Sequence, residues 1–323
     1  MQTVIGTDIA QAAHWLQQGE TVAIPTETVY GLAANALNEK AVLKIYAAKN
    51  RPHFNPLIIH IHSAEEIIRY ASVVPERCFQ LIQQFTPGPI TFLLPKKTII
   101  PDLVTAGSNK VAIRIPAHPL TQQLLQAINF PLAAPSANPF GYVSPVTAQH
   151  VYKGLNAKIP YILDGGSAGV GLESTIVSFD TNNEVVIERL GGVSVEAIEE
   201  AIGKPVILNL SHQKPNTPGQ LKSHYATAKP LLLGNIEELI QQHANEKIAL
   251  LTLNKQPVKP PVAYSFALSE AGDLEEAAAN LFTQLRAIDA TDATIIVAAL
   301  VPEMGIGRAI NDRLRRAQFI NKL

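Results

Sequence analysis

Short apolar runs follow one another from Thr21 to Glu188, some separated by an amphipathic stretch and some not. That uneven alternation constrains the fold more than any other feature. A regular parallel α/β repeat needs a helix at each crossover, whereas directly joined strands lie antiparallel, so the pattern predicts a twisted mixed sheet with flanking helices. Strands are expected at 21–24, 57–61, 90–94, 111–115, 131–134, 161–163, 175–179 and 185–188. Apolar side chains at helical spacing predict helices over 8–18, 39–48, 63–70, 75–84, 119–128 and 147–154. Gly19 is a stop signal for the first helix, and Ser63 with Glu66 forms a capping box for the third.

Residues 205–230 break the pattern with Pro205, Pro215, Pro218, Gly219 and Pro230, and read as a linker or a functional loop. Beyond it a compact β-α-β-β-α-β-α succession predicts a smaller Rossmann-like α/β domain. Its strands are expected at 231–233, 248–253, 262–266 and 294–300, with helices over 235–245, 273–288 and from Arg308 onward. The expected division is therefore 1–204, 205–230 and 231–323. A chain of 323 residues suits two cores of ordinary size.

Charge argues against a polycationic nucleic-acid binder. The formal net charge is -1, with 14 basic and 16 acidic residues up to Lys204 and 12 and 11 after it. Any RNA contact is expected to be local. Cys78 is the sole cysteine, which excludes an internal disulfide and a CxxC metal site, and a reducing cytoplasm is the expected location. With Lys40 the first basic residue and no apolar run of spanning length, neither a secretory leader nor a membrane span is expected.

Two motifs invite chemistry. Gly165-Gly166-Ser167-Ala168-Gly169 matches the nucleophile elbow of serine hydrolases, but that elbow requires a helix directly after the serine, and a strand is expected from Thr175. His60 and His62 share a strand face, yet zinc needs three or four converging ligands and no third is evident, so no protein-held metal is expected. More telling are polar residues at strand ends, where α/β sheets bind ligands. Thr26-Glu27-Thr28 follows a strand, Lys49 and Arg51 close a helix, Arg114 interrupts an apolar strand and Arg189 ends another. Ala134 to Asn138 and Glu173-Ser174-Thr175 add small hydroxyls and an amide. An arginine on a buried strand requires an anionic partner, from the protein or from a ligand.

In order and spacing these segments resemble the YrdC-type domain. They run from Thr26 to Leu32 (TETVYGL), through Lys49-Asn50-Arg51 with Asn55 to His60, Pro87 to Thr91 and Val111 to Arg114. They continue through Ala134 to Asn138 (APSAN), Leu163 to Gly166, Glu173 to Val177 and Arg189 to Gly192. His224-Tyr225-Ala226 and the terminal Gly307-Arg308-Ala309 with Asp312 to Arg316 are similar to the linker and second domain of the long, Sua-type threonylcarbamoyl-AMP synthases. The resemblance implies a nucleotidyltransferase that joins L-threonine, bicarbonate and ATP, with Mg²⁺ on the nucleotide. A separate threonylcarbamoyl transferase acting on tRNA would consume the product, with at most weak tRNA contact. It implies Lys49 and Arg51 as catalytic cations, and Arg51, Asn55, Lys110, Asn138, Ser144, Val146, Arg189 and Tyr225 around ATP. Thr28, His60, Arg114, Ser136 and Ser174 would surround threonine. Because a carbamate decomposes in water, 205–230 is expected to act as a lid that excludes solvent. Lys110 and Val146 depart from the family's usual hydroxyl residues, and Ser223 and Thr227 depart in the linker. The rival reading is a non-catalytic RNA-binding module of the same fold.

Overall fold

The structure is a computed structural model describing residues 2–52, 54–210, 225–255, 258, 259 and 261–318. The first part of the chain runs β1 (Val4–Gly6), α1 (Ile9–Gln17), β2 (Val22–Ile24), β3 (Gly31–Asn35), α2 (Glu39–Lys49), β4 (Ile58–His60), α3 (Ile67–Tyr70), α4 (Glu76–Phe85), β5 (Ile90–Pro95), α5 (Asp102–Thr105), β6 (Lys110–Arg114) and α6 (Pro119–Gln126). It continues β7 (Leu132–Ala133), α7 (Ala148–Leu155), β8 (Tyr161–Leu163), β9 (Thr175–Phe179), β10 (Val185–Arg189), α8 (Val195–Ile202) and β11 (Ile207–Leu208). The strands form one mixed sheet in the order β1-β8-β2-β3-β7-β4-β6-β5-β9-β10-β11. Parallel and antiparallel neighbours alternate irregularly along it, as the uneven spacing of helices requires.

Local chemistry sets several boundaries. Asn38 caps α2 by accepting from the Lys40 and Ala41 amides, and Asn50 ends it in the left-handed region at φ 52°. That stop aims the chain from Lys49 into the Arg51–Pro56 loop. The expected capping box at Ser63 does not form, for Ser63 makes no side-chain cap hydrogen bond. Its hydroxyl turns instead to the Glu65 carboxylate, and the chain makes one 3-10 turn, Ala64–Glu66, before α3.

Helices α1 and α6 bury Ala12, Leu16, Leu124 and Leu125 against Val22, Ile24, Ala33, Leu132 and Leu163 of the sheet. On the central strands Ile58, Leu93, Ala112 and Ile176 form a second apolar cluster. It lies one pleat from the polar row described below, on the same face. Cys78 is buried in α4, and burial pushes its thiol up to about 12, so it is inert at neutral pH.

Strand β11 pairs with β10, so the first sheet extends to Leu208, inside the segment expected as a linker. Residues 211–224 of the expected lid, with Pro215, Pro218, Gly219, Ser223 and His224, lie outside the described residues. The second part runs β12 (Leu231–Leu233), α9 (Ile236–Gln242), β13 (Ile248–Thr252), β14 (Tyr264–Ala267), α10 (Leu274–Asp289), β15 (Ile295–Ala298) and α11 (Gly307–Gln318). Its four strands are all parallel, in the order β12-β15-β13-β14, over a core of Ile240, Ile248, Leu250, Ile295 and Val297. The sequence pattern anticipates the Rossmann-like class, but β13 and β14, with no helix between them among the described residues, pair parallel rather than antiparallel. By internal contacts the chain divides into two units, the first comprising Met1–Phe140, Ser144–Gly169 and Glu173–Leu221. Gly141–Val143, Val170–Leu172 and Lys222–Leu323 make the second.

Candidate active site

The polar row follows from register. His60 at the end of β4 lies opposite Arg114 at the end of β6, and Arg114 lies opposite Thr91 near the start of β5. Residues paired in this way share a sheet face. Thr91 is paired with Ile176, and Ser174, two residues earlier on the same face, exchanges a 2.7 Å hydroxyl–hydroxyl hydrogen bond with Thr91. Arg189 at the end of β10 donates to the Ser174 carbonyl from Nε and Nη2 at 3.1 and 2.9 Å, and from Nη2 to its Oγ at 3.2 Å.

Arg114 is 4% exposed and its guanidinium is held on three sides. Nε donates to the Gly88 carbonyl at 3.4 Å, Nη1 to Thr28 Oγ1 at 2.8 Å and Nη2 to Glu27 Oε1 at 2.7 Å. The hydroxyls of this loop have a fixed sense. Thr26 gives its proton to the Val29 carbonyl at 2.6 Å, so Thr28 donates to Thr26 across 2.8 Å and is free to accept from Arg114.

A second group forms around the end of α2. Lys49 is 1% exposed, and its Nζ donates to the carbonyls of Ser136 and Asn138. Burial drives its pKa well below the usual lysine value, and the Arg51 charge adds to this. Arg51 donates to the carbonyls of Asn55 and Pro56 at 3.3 and 2.9 Å and lies 5.9 Å from the Phe140 ring centroid. Asn55 is fully buried, and neither Oδ1 nor Nδ2 of its amide has a hydrogen-bond partner. Such orphaned groups cost about 1–3 kcal/mol each, which a ligand with one donor and one acceptor would relieve.

Backbone hydrogen bonds tie these loops together. Tyr30 donates to the Pro145 carbonyl and accepts from Ala137, at 2.8 and 2.7 Å, and Leu32 donates to the Pro135 carbonyl at 2.7 Å. Ser144 donates to Glu173 Oε1 at 2.6 Å. Val146 is buried, and its carbonyl accepts from Ala168. Thus Thr28, Lys49, Arg51, Asn55, His60, Arg114, Ser136, Asn138, Ser144, Val146, Ser174 and Arg189 occupy one connected set of strand ends and loops in the first unit. Lys110 lies at the other end of β6, two residues before the Ala112 that pairs with Ile58. It begins β6, about 13 Å along the strand from Arg114 at 3.3 Å per residue. Tyr225 belongs to the second unit, where its fully buried ring stacks on Phe282 at 5.5 Å and lies 5.0 Å below the Arg313 guanidinium. Its φ of 67° is a left-handed conformation that a bulky side chain rarely adopts.

Sequence reasoning did not name Glu27, Thr91 or Glu173 as site residues, nor the Tyr30 hydroxyl, which lies 3.2 Å from Asp164 Oδ1. Glu27 and Glu173 stood inside the polar motifs, but their partners are distant in sequence. Ser167 is exposed and no helix follows it, so the elbow reading fails for want of its supporting turn. His62 is held by Gln122 and Gln126 at 2.6 and 3.0 Å, which explains it without a metal.

His60 is 3% exposed, and burial, with the Arg114 charge beside it, lowers its pKa from 6.5 to about 3. Between those values the unfolded chain binds more protons, so stability rises with pH, is complete above 6.5 and is lost as pH falls. From pH 7 to pH 4.5 this histidine should remove about 2–3 kcal/mol. Urea unfolding of the protein and of His60→Gln at both pH values checks it. The wild-type loss should exceed the variant's by that amount, and parallel losses would contradict the assignment.

The first unit is thus a mixed α/β sheet with buried cations, hydroxyls and amides gathered at its strand ends. Residues 14–191 match the family model described as "Telomere recombination" (Sua5, YciO and YrdC), and residues 193–318 match "Threonylcarbamoyl-AMP synthase, C-terminal domain". The chain belongs to this Sua5/YciO/YrdC family, in the form that carries the C-terminal domain. It is 40% identical to the threonylcarbamoyl-AMP synthase of Pyrococcus abyssi over 95% of this chain and 92% of that protein. Against the Bacillus subtilis threonylcarbamoyl-AMP synthase it is 40% identical over 96% and 92% of the two chains. The crystal structure of P. abyssi Sua5 complexed with L-threonine superposes with a TM-score of 0.90 at 37% identity, covering 98% and 97%.

Proposed function

We propose that this chain is an L-threonylcarbamoyladenylate synthase, a nucleotidyltransferase that condenses L-threonine, bicarbonate and ATP to threonylcarbamoyl-AMP and pyrophosphate. The observation that carries the reading is the burial of four cations in the first unit. Lys49, Arg51, Arg114 and Arg189 are 1%, 5%, 4% and 5% exposed. Desolvating a cation costs several kcal/mol unless anions answer it. Arg114 has Glu27 as one such partner. Four buried cations at neighbouring strand ends and loops suit a site for a triphosphate, an amino-acid carboxylate and a carbamate, whereas a surface that tracks an RNA backbone presents its cations to solvent.

The threonine amine attacks the carbon of bicarbonate, a C–O bond breaks and water leaves with the proton given up by the amine, giving a carbamate. A carbamate oxygen then attacks the α-phosphorus of ATP, and the bond to the β-phosphate bridging oxygen breaks to release pyrophosphate. Such a displacement needs positioning and charge stabilisation rather than a protein nucleophile. In this reading Lys49, Arg51 and Arg189 face the phosphates, and an arriving phosphate favours the charged form of Lys49 that burial alone disfavours. Asn55, Lys110, Asn138, Ser144 and the Val146 backbone complete the nucleotide contacts of the first unit. Arg114 grips the threonine carboxylate, while Thr28, His60, Ser136 and Ser174 orient its amine and hydroxyl.

Among the described residues no three His, Cys, Asp or Glu side chains converge on a common point. The site's cations and hydroxyls are a poor cage for Mg²⁺, so the ion belongs to the substrate, carried on the triphosphate. The product is an activated acyl-phosphate donor, to be consumed by a transferase acting on tRNA. No helix among the described residues is long and apolar enough to cross a membrane. Mass spectrometry of the product formed from ATP, L-threonine and isotopically labelled bicarbonate tests the reading. The label should appear in a threonylcarbamoyl-AMP ion, and an unlabelled threonyl-AMP would refute it.

A further inference from the structure

Glu27 is the one carboxylate that forms an ion pair with Arg114 among the described residues, and the geometry of that pair is more specific than charge balance requires. Oε1 accepts from Arg114 Nη2 at 2.7 Å, and Oε2 accepts from the Ala117 amide at 3.0 Å. A carboxylate held at both oxygens cannot swing, so it fixes the plane of the guanidinium it touches. Arg114 has five N–H bonds, and Gly88, Thr28 and Glu27 each take one. One N–H on each terminal nitrogen is left, the number a carboxylate needs for a two-point grip.

Glu27 and Thr28 are consecutive in one loop and bind different nitrogens of the same fork. Arg114 is 5% exposed at its side chain and Glu27 16%, so the pair is shielded enough for its geometry to persist. From this we infer that Glu27 is a positioning residue: by holding Nη2 it aims the two remaining N–H bonds of Arg114 at the carboxylate of the amino-acid substrate, without touching that substrate. The inference rests on the reading of Arg114 as the partner of the threonine carboxylate.

Three consequences separate this role from a merely structural ion pair. Loss of Glu27 raises KM for threonine while kcat at saturating threonine and KM for ATP stay nearly constant. The effect passes through Arg114, so it disappears when Arg114 is already gone. It also requires a substrate carboxylate, so weak competitive binding of L-threoninamide is the same with and without Glu27.

The experiment measures pyrophosphate release as a function of threonine and of ATP for the full-length wild type, Glu27→Ala, Glu27→Gln, Arg114→Ala and the Glu27→Ala/Arg114→Ala double variant. Glu27→Ala should lower kcat/KM for threonine by about tenfold or more, with kcat and KM for ATP within about twofold. Glu27→Gln, whose amide oxygen still accepts from Arg114 but which meets the Ala117 amide with a donor, should fall between, and it supplies the answer should the alanine variant fail to fold. In the Arg114→Ala background the Glu27 substitution should change kcat/KM by less than about twofold. Additive losses in the double variant, or a fall in kcat with threonine KM unchanged, would overturn the positioning role. A wild type whose pyrophosphate release ignores threonine would instead overturn the underlying reading of the site.

Discussion

Arg114→Ala should lower kcat/KM for threonine by about 2–5 kcal/mol, or roughly thirtyfold to several thousandfold, while KM for ATP changes far less. Two effects combine. The substrate carboxylate loses its charged two-point partner, and Glu27 is left as a partly buried carboxylate accepting only from the Ala117 amide. The second effect is itself substantial, because an uncompensated buried charge costs more than the pair contributed. Arg114→Lys should recover little, since one ammonium cannot serve Gly88, Thr28 and Glu27 and still offer two parallel donors. Steady-state kinetics with threonine and ATP varied separately checks this. An unchanged threonine dependence in a folded Arg114→Ala protein would return the arginine to a structural role.

Gly191→Ala should damage the site from outside it. A Cβ at Gly191 would lie 2.2 Å from the Glu173 carbonyl oxygen, 2.4 Å from the Ser174 carbonyl carbon and 2.5 Å from the Thr175 nitrogen. All three are backbone atoms, so no side-chain rotation relieves the clash. The chain that must yield carries Glu173, the acceptor for Ser144, and Ser174, which binds both Thr91 and Arg189. Overpacking of this kind costs about 1–3 kcal/mol. For a unit of this size that lowers Tm by about 2–4 °C per kcal/mol. A displacement near 1 Å at the reacting groups costs about a hundredfold in rate. Thermal melting and initial rates on one preparation check both effects, and a Gly191→Ala protein with wild-type rate and Tm would contradict the close approach.

The sequence made the elements with strong end signals legible and missed those that only tertiary context defines. Helix α2 was readable because Asn38 and Asn50 bracket a periodic stretch. Helix α8 was overlooked even though Ser194 caps it and Gly203 ends it in the left-handed region, so its signals were present and unused. Strand β3 was hidden: Gly31–Asn35 is small and buried on nearly every residue, without the alternation that marks a half-exposed strand. In the site, the polar residues at strand ends stood out one at a time, and the family resemblance grouped them. Their pairings did not show, because Glu27 meets Arg114 across 87 residues and Lys49 meets the Ser136 carbonyl across 87 as well. No local pattern encodes contacts of that range.

The chemistry itself is tested most directly by pyrophosphate release from ATP with each other substrate omitted in turn. If the group attacking the α-phosphorus is the carbamate, release requires L-threonine and bicarbonate together, and carbon-dioxide-depleted buffer lowers it to background even at saturating threonine. Equal release with threonine alone would mean that the amino-acid carboxylate attacks ATP directly, and would contradict the reaction proposed for this site.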